Sequence, residues 1–165
     1  MSRSPKKLSI KVRAKTFYFA SLFFSKKVQS DISVLYSFCR LIDDIGDDNS
    51  NDPKNTKNKL LKIKKDLTSL NSNNEIVSDF IDLMLQCNIN PLVPLDLVNG
   101  VISDLKKVDI KNLSELIEYS YKVAGTVGLM MCKIMKFHLN RTQMLFLLQF
   151  DRDSKKRRPK VVMLI

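Results

Sequence analysis

The chain has 165 residues, 44 % of them hydrophobic, and only four glycines, which fits one compact helical domain and excludes a disordered chain. Its net charge of +11 lies mostly at the ends: residues 1–15 carry +6 and residues 151–165 carry +4, leaving +1 for the 135 between. With no Trp and no glycine-rich RNA-binding motif, this distribution excludes nucleic acid as the expected partner and reads as two solvated basic tails rather than a basic folded face.

Residues 17–24 form a short apolar run, read as a short helix or a helix start. Ser25 is placed to cap a helix over residues 26–46. At about 100° per residue with Tyr36 at zero, Arg40, Asp43 and Asp47 fall at about 40°, −20° and 20°. Val34, Phe38, Leu41 and Ile45 fall at about 140° to 200°, so one face is expected to be reactive or wet and the opposite one core. Residues 49–58, rich in Asn, Asp and Pro, read as a loop. Leu60, Ile63, Leu67 and Leu70 have helical spacing over residues 59–70. Further helices are expected over residues 75–86, 95–107 and 113–137, with a turn at Pro91 and Pro94 and no period-two strand.

Three features limit the chemistry. Cys39, Cys87 and Cys132 are widely spaced and read as small buried residues of a reducing compartment, not as a disulfide framework or zinc site. His138 is the only histidine and reads as an ordinary helix residue rather than a zinc ligand or a triad member. The longest apolar runs, residues 17–24 and 144–148, fall well short of the roughly 18 residues that suggest a membrane span.

The informative stretch is Asp43-Asp44-Ile45-Gly46-Asp47-Asp48, four carboxylates in six residues with no basic side chain among them. Their mutual repulsion, and that of helix-end carbonyls, is relieved by open solvent or by a cation. Oxygen-only ligands of this kind suit magnesium, which takes one or two carboxylates together with waters and phosphates. Arg40 on the same stripe could grip a diphosphate by its fork. A solvated acidic helix end remains the alternative on these residues alone. Downstream, Gly125 and Gly128 cost about 1 kcal/mol each against alanine inside an apolar helix. Close packing, a kink or room for a ligand would each explain them.

Three stretches together resemble the phytoene/squalene synthase family, the head-to-head prenyl transferases. They are Lys15-Thr16-Phe17-Tyr18-Phe19-Ala20-Ser21-Leu22; Leu35-Tyr36-Ser37-Phe38-Cys39-Arg40-Leu41-Ile42-Asp43-Asp44-Ile45-Gly46-Asp47; and Tyr121-Lys122-Val123-Ala124-Gly125-Thr126-Val127-Gly128-Leu129-Met130. The resemblance implies an all-α, isoprenoid-synthase-type helical bundle, with residues 1–14 a basic segment, 15–137 a partial domain and 138–165 a divergent tail. It implies that Asp43, Asp44 and Asp47 hold Mg2+ against a substrate diphosphate. Tyr36, Arg40, Asp43 and Asp47 would serve catalysis, while Lys15, Thr16, Phe17, Tyr36 and Arg40 would line the substrate site. Val123, Ala124, Val127 and Gly128 would form the cavity wall, and Asp104 matches a further acidic position.

The implied reaction joins two prenyl diphosphates (farnesyl or geranylgeranyl) by ionising one and letting the other attack the carbocation. NADPH is implied only for a squalene-type product. The greasy substrates imply a cytoplasmic protein that visits the membrane surface, with its basic ends as the expected contact. The family's second aspartate-rich motif is not matched: Gln149-Phe150-Asp151-Arg152-Asp153 lacks its Asn and spacing. The C-terminal helices are therefore expected to be missing, by truncation or frameshift after about residue 138. A non-catalytic relative serving assembly, or an inactive fragment, are the competing readings.

Overall fold

The computed structural model describes residues 24–48, 52–105 and 110–138, and these are helical with no strand among them. Helix α1 (Lys26–Gly46) starts where Ser25 Oγ accepts from the Val28 N–H at 3.4 Å, as its sequence predicts. Helix α2 (Pro53–Ser69) begins six residues before its expected start. The Asn, Asp and Pro content that suggested a loop contains an N-cap instead: Asp52 Oδ1 accepts from the Lys54 N–H at 3.2 Å, and Pro53 takes the first helical position. Helix α3 (Glu75–Gln86) has the expected bounds, capped by Asn74 Oδ1, which accepts from Ile76 and Val77 at 3.0 and 3.3 Å.

Helix α4 (Leu92–Asp104) starts three residues early, because Pro94 falls in the first turn, where a missing N–H costs nothing. Helix α5 (Leu113–Ser120) is followed without a break by a π-helical turn, Tyr121–Gly125, and then α6 (Thr126–His138). The single straight helix expected over 113–137 is thus widened at its middle, the Thr126 N–H donating to the Tyr121 carbonyl.

The core is built around α1, which packs on α2, α3, α4 and α6, while α4 also packs on α2, α6 and the π turn. Phe38 of α1 and Phe80 of α3 stack at its centre, ring centroids 3.7 Å apart and planes 5° from parallel. Leu35, Ile42, Leu60, Leu67, Val98, Met130 and Ile134 close around them. The buried residues of α1 are Val28, Ile32, Leu35, Phe38 and Ile42, whereas Val34, Leu41 and Ile45 are only half-buried. The core face therefore lies about a quarter-turn from its expected place. That rotation brings the acidic stripe from the far side of the helix to the edge of the core.

Among the described residues no helix is long and apolar enough to cross a membrane. Cys87 is buried and Cys39 half-buried, but Cys132 is exposed, contrary to its reading as a core residue.

Candidate active site

Helices α1 and α4 bring their C-terminal ends together, and Gly46 and Val101 form the contact. Around it Asp43, Gly46, Asp47, Val101 and Asp104 line a cavity of about 330 Å³. Asp43 and Asp47 stand one helical turn apart on α1, and Asp104 closes α4 on the other side. Both helix ends point their last carbonyls the same way as these acids, so the negative charge accumulates. Asp104 Oδ2 accepts a hydrogen bond of 3.3 Å from the Tyr119 hydroxyl at the end of α5, which ties a third helix to the cavity.

The carboxylates strain against one another. Partial enclosure pushes the Asp43 carboxyl above its ordinary range; Arg40 pulls it back, and the neighbouring Asp47 and Asp44 charges push it up again. Desolvation likewise raises Asp104, against the stabilising Tyr119 hydrogen bond. Arg40 is held by Asp44 rather than by Asp43 or Asp47, with Nη2 and Oδ1 2.6 Å apart. The pair is about half exposed, so it contributes on the order of 0.5 kcal/mol and releases easily. Arg40 Nε is buried and makes no hydrogen bond among the described residues. An unsatisfied guanidinium nitrogen next to three acids suits an incoming anion bridged by a cation.

The donor set fits magnesium chemically: the cavity offers carboxylate oxygens only. No three His, Cys, Asp or Glu side chains among the described residues close around a single point. An ion held by Asp43 and Asp47 would therefore complete its shell with water and phosphate oxygens, as Mg2+ usually does.

The candidate residues divide into three groups. Asp43, Asp47 and the less expected Asp104 share the cavity; Tyr36, half-buried, and Arg40 lie on the same helix two turns and one turn before Asp43. Asp44 points to Arg40 and is not among the lining residues. The third group, Val123, Ala124, Val127 and Gly128, also lies away from that lining. Val123 abuts α4, its Cγ1 3.2 Å from where a Cβ on Gly100 would stand, and Val127 packs on the core. Ala124 is exposed, and Gly128 has open space about it among the described residues. Gly125 admits the ring of Tyr121, whose Cδ2 would be 3.2 Å from an added Cβ. Lys15, Thr16, Phe17, Asp151 and Asp153 lie outside the described residues.

Sequence reasoning missed Thr126. It is fully buried, and its hydroxyl donates to the Lys122 carbonyl of the π turn at 2.8 Å. The Gly-Thr-Val-Gly sequence carried that signal, because a hydroxyl after a glycine in an apolar helix suits a back-bond to the preceding turn.

A helical bundle with paired helix ends and a carboxylate-lined cavity defines the class. The squalene/phytoene synthase family model matches residues 10–153, and the chain belongs to that family. It is 28 % identical over 142 residues to a 15-cis-phytoene synthase of Pantoea ananas, covering 79 % of this chain and 46 % of the relative. It is 33 % identical over 127 residues to the chloroplastic phytoene synthase 1 of Zea mays, covering 74 % of this chain and 30 % of that one. The crystal structure of a dehydrosqualene synthase in complex with ligand superposes with a TM-score of 0.63 at 26 % identity, covering 77 % of this chain and 44 % of that chain. The all-α isoprenoid-synthase fold is thus shared, and the chain spans under half the length of these relatives.

Proposed function

We propose that this chain carries the diphosphate-binding aspartates of a head-to-head prenyl transferase, in carotenoid or related isoprenoid biosynthesis. Its substrates are prenyl diphosphates, farnesyl or geranylgeranyl. The observation that carries this reading is the shared cavity of Asp43, Asp47 and Asp104, with Arg40 on the same stripe and its Nε unpartnered among the described residues.

Asp43 and Asp47 would hold Mg2+, with Asp104 opposite. When bound, the ion neutralises the carboxylates and takes up the charge of departing pyrophosphate. Arg40 leaves Asp44 to fork onto phosphate oxygens, and Tyr36 presents its phenol from the preceding turn. Val101 is the apolar side chain of the lining, and a dry wall at the allylic end would keep a carbocation from being quenched. The relatives named as phytoene synthases favour a product formed without reduction, so NADPH is left out of the expected reaction.

The test is Mg2+-dependent binding of inorganic pyrophosphate to the purified chain, followed by incubation with geranylgeranyl or farnesyl diphosphate. Released pyrophosphate and a long hydrocarbon establish the transferase. Binding without turnover supports a diphosphate-binding relative that does not catalyse. Folded protein that binds no pyrophosphate with Mg2+ present sinks the reading.

A further inference from the structure

The near-neutral charge of residues 16–150 conceals a segregation. Helix α2 carries six lysines against one acid, Asp66, within 17 residues. The described parts of α3 and α4 carry Glu75, Asp79, Asp82, Asp96 and Asp104 and no lysine or arginine. Basicity is therefore not confined to the two ends; it has a folded face.

That face is well defined. Thr56, Leu60, Ile63 and Leu67 turn α2 into the core. Lys54, Lys57, Lys62 and Lys65 stand exposed on the other side, around Leu61, which is 42 % exposed. Leu70, 44 % exposed, follows at the helix end. Two other lysines are engaged: Lys64 Nζ donates to Asn99 Oδ1 at 2.7 Å, and Lys59 Nζ lies 3.9 Å from Asp48 Oδ2. The four exposed lysines make no ion pair among the described residues. Asp48 adjoins Asp47 of the cavity, so the Lys59 contact shows that α2 runs near the acidic site.

We propose that the Lys54, Lys57, Lys62 and Lys65 face of α2 docks the protein on an anionic lipid bilayer. This deepens the proposed function, because it sets the cavity beside the surface that holds greasy prenyl diphosphates. The occupant follows from complementarity. Lysines spaced along one helix face meet a diffuse sheet of lipid phosphates, and Leu61 among them reaches the acyl boundary. A protein partner would call for a contiguous apolar patch, and on this face a single exposed leucine, Leu61, is ringed by lysines.

The experiment is vesicle flotation of the full chain, on phosphatidylcholine alone and on phosphatidylcholine with about a third phosphatidylglycerol, at low and high salt. The expected result is association with the anionic vesicles only, weakened by salt. It should fall about tenfold or more in K54E/K57E/K62E/K65E. The glutamine version, K54Q/K57Q/K62Q/K65Q, should fall in the same direction and guards against misfolding by charge reversal. A matched K155Q/K156Q/R157Q/R158Q variant should retain most of the binding. Mg2+-dependent pyrophosphate binding, measured without vesicles, should match the parent in every variant, which separates this inference from the transferase reading. Parent-like flotation of both α2 variants, flotation indifferent to anionic lipid, or tighter binding to duplex nucleic acid at equal salt overturns the proposal.

Discussion

Gly46 and Val101 meet so closely that a Cβ on the glycine would lie 2.5 Å from Val101 Cγ1. The missing side chain is what lets α4 approach the last turn of α1 and set Asp104 across from Asp43 and Asp47. Gly46→Ala should cost about 1–3 kcal/mol through overpacking, more than the helix-propensity gain of about 1 kcal/mol at a helix end. It should also weaken Mg2+-dependent pyrophosphate binding. Val101→Ala removes the obstructing methyl, so G46A/V101A should regain binding. Titration calorimetry on the three variants checks the relationship, and parent-like binding by G46A would refute it.

Asp43→Asn and Asp104→Asn should each lower Mg2+-dependent pyrophosphate affinity about tenfold or more, the first by loss of a carboxylate ligand and the second by loss of the negative charge that faces the ion. Asp44→Asn should do much less, because Asp44 engages Arg40 and not the cavity. Equal losses in all three variants would show that net charge, not the cavity, governs binding.

Acid and magnesium should act on stability in the same direction. Asp43 and Asp104 have carboxyls raised above the ordinary value of 3.8, so the folded chain holds those protons more firmly than the unfolded one. Their contribution is complete below that value and is lost as pH rises through the raised values. Mg2+ should restore it at neutral pH, raising Tm, and EDTA should reverse the gain. In the D43N/D104N variant both the local pH effect and the Mg2+ shift of Tm should shrink, measured as a difference from the parent so that other carboxylates cancel.

The cysteines should label in sequence. Burial, with the nearby Asp43 charge, pushes the Cys39 thiol up to about 12. Burial raises Cys87 as well. At about pH 8 Cys39 holds almost no thiolate and Cys87 is buried, whereas Cys132 is exposed. Iodoacetamide should modify Cys132 first, with Cys39 and Cys87 following only on unfolding. Peptide mass spectrometry at successive times reads the order.

Much of the fold was legible because local signals agreed. Ser25 and Asn74 are unambiguous caps, and the helices they open have their expected bounds. The start of α2 was misread because Asp and Pro count equally as loop formers and as N-cap and first-turn residues; only the lysine-and-leucine pattern after them decides. Periodicity placed Phe38 in the core but not Leu35 or Ile42, since the width of a buried stripe depends on how many helices converge on it. Four converge on α1. The site shows the same limit. Asp43 and Asp47 follow from helical spacing, whereas Asp104 joins them across 57 residues through a tertiary contact at Gly46 that no local pattern encodes. The lysine face of α2 was hidden by summing charge over segments that fold to different sides.

The π turn at Tyr121–Gly125 amounts to one residue more than a regular helix would hold, absorbed without breaking the rod. Excising one residue there would make the backbone more regular and swing everything downstream by about 100°. Met130 and Ile134, now sealed against α1 and α4, would rotate toward solvent. The irregular turn is thus what keeps the two halves of one rod in phase with a single core.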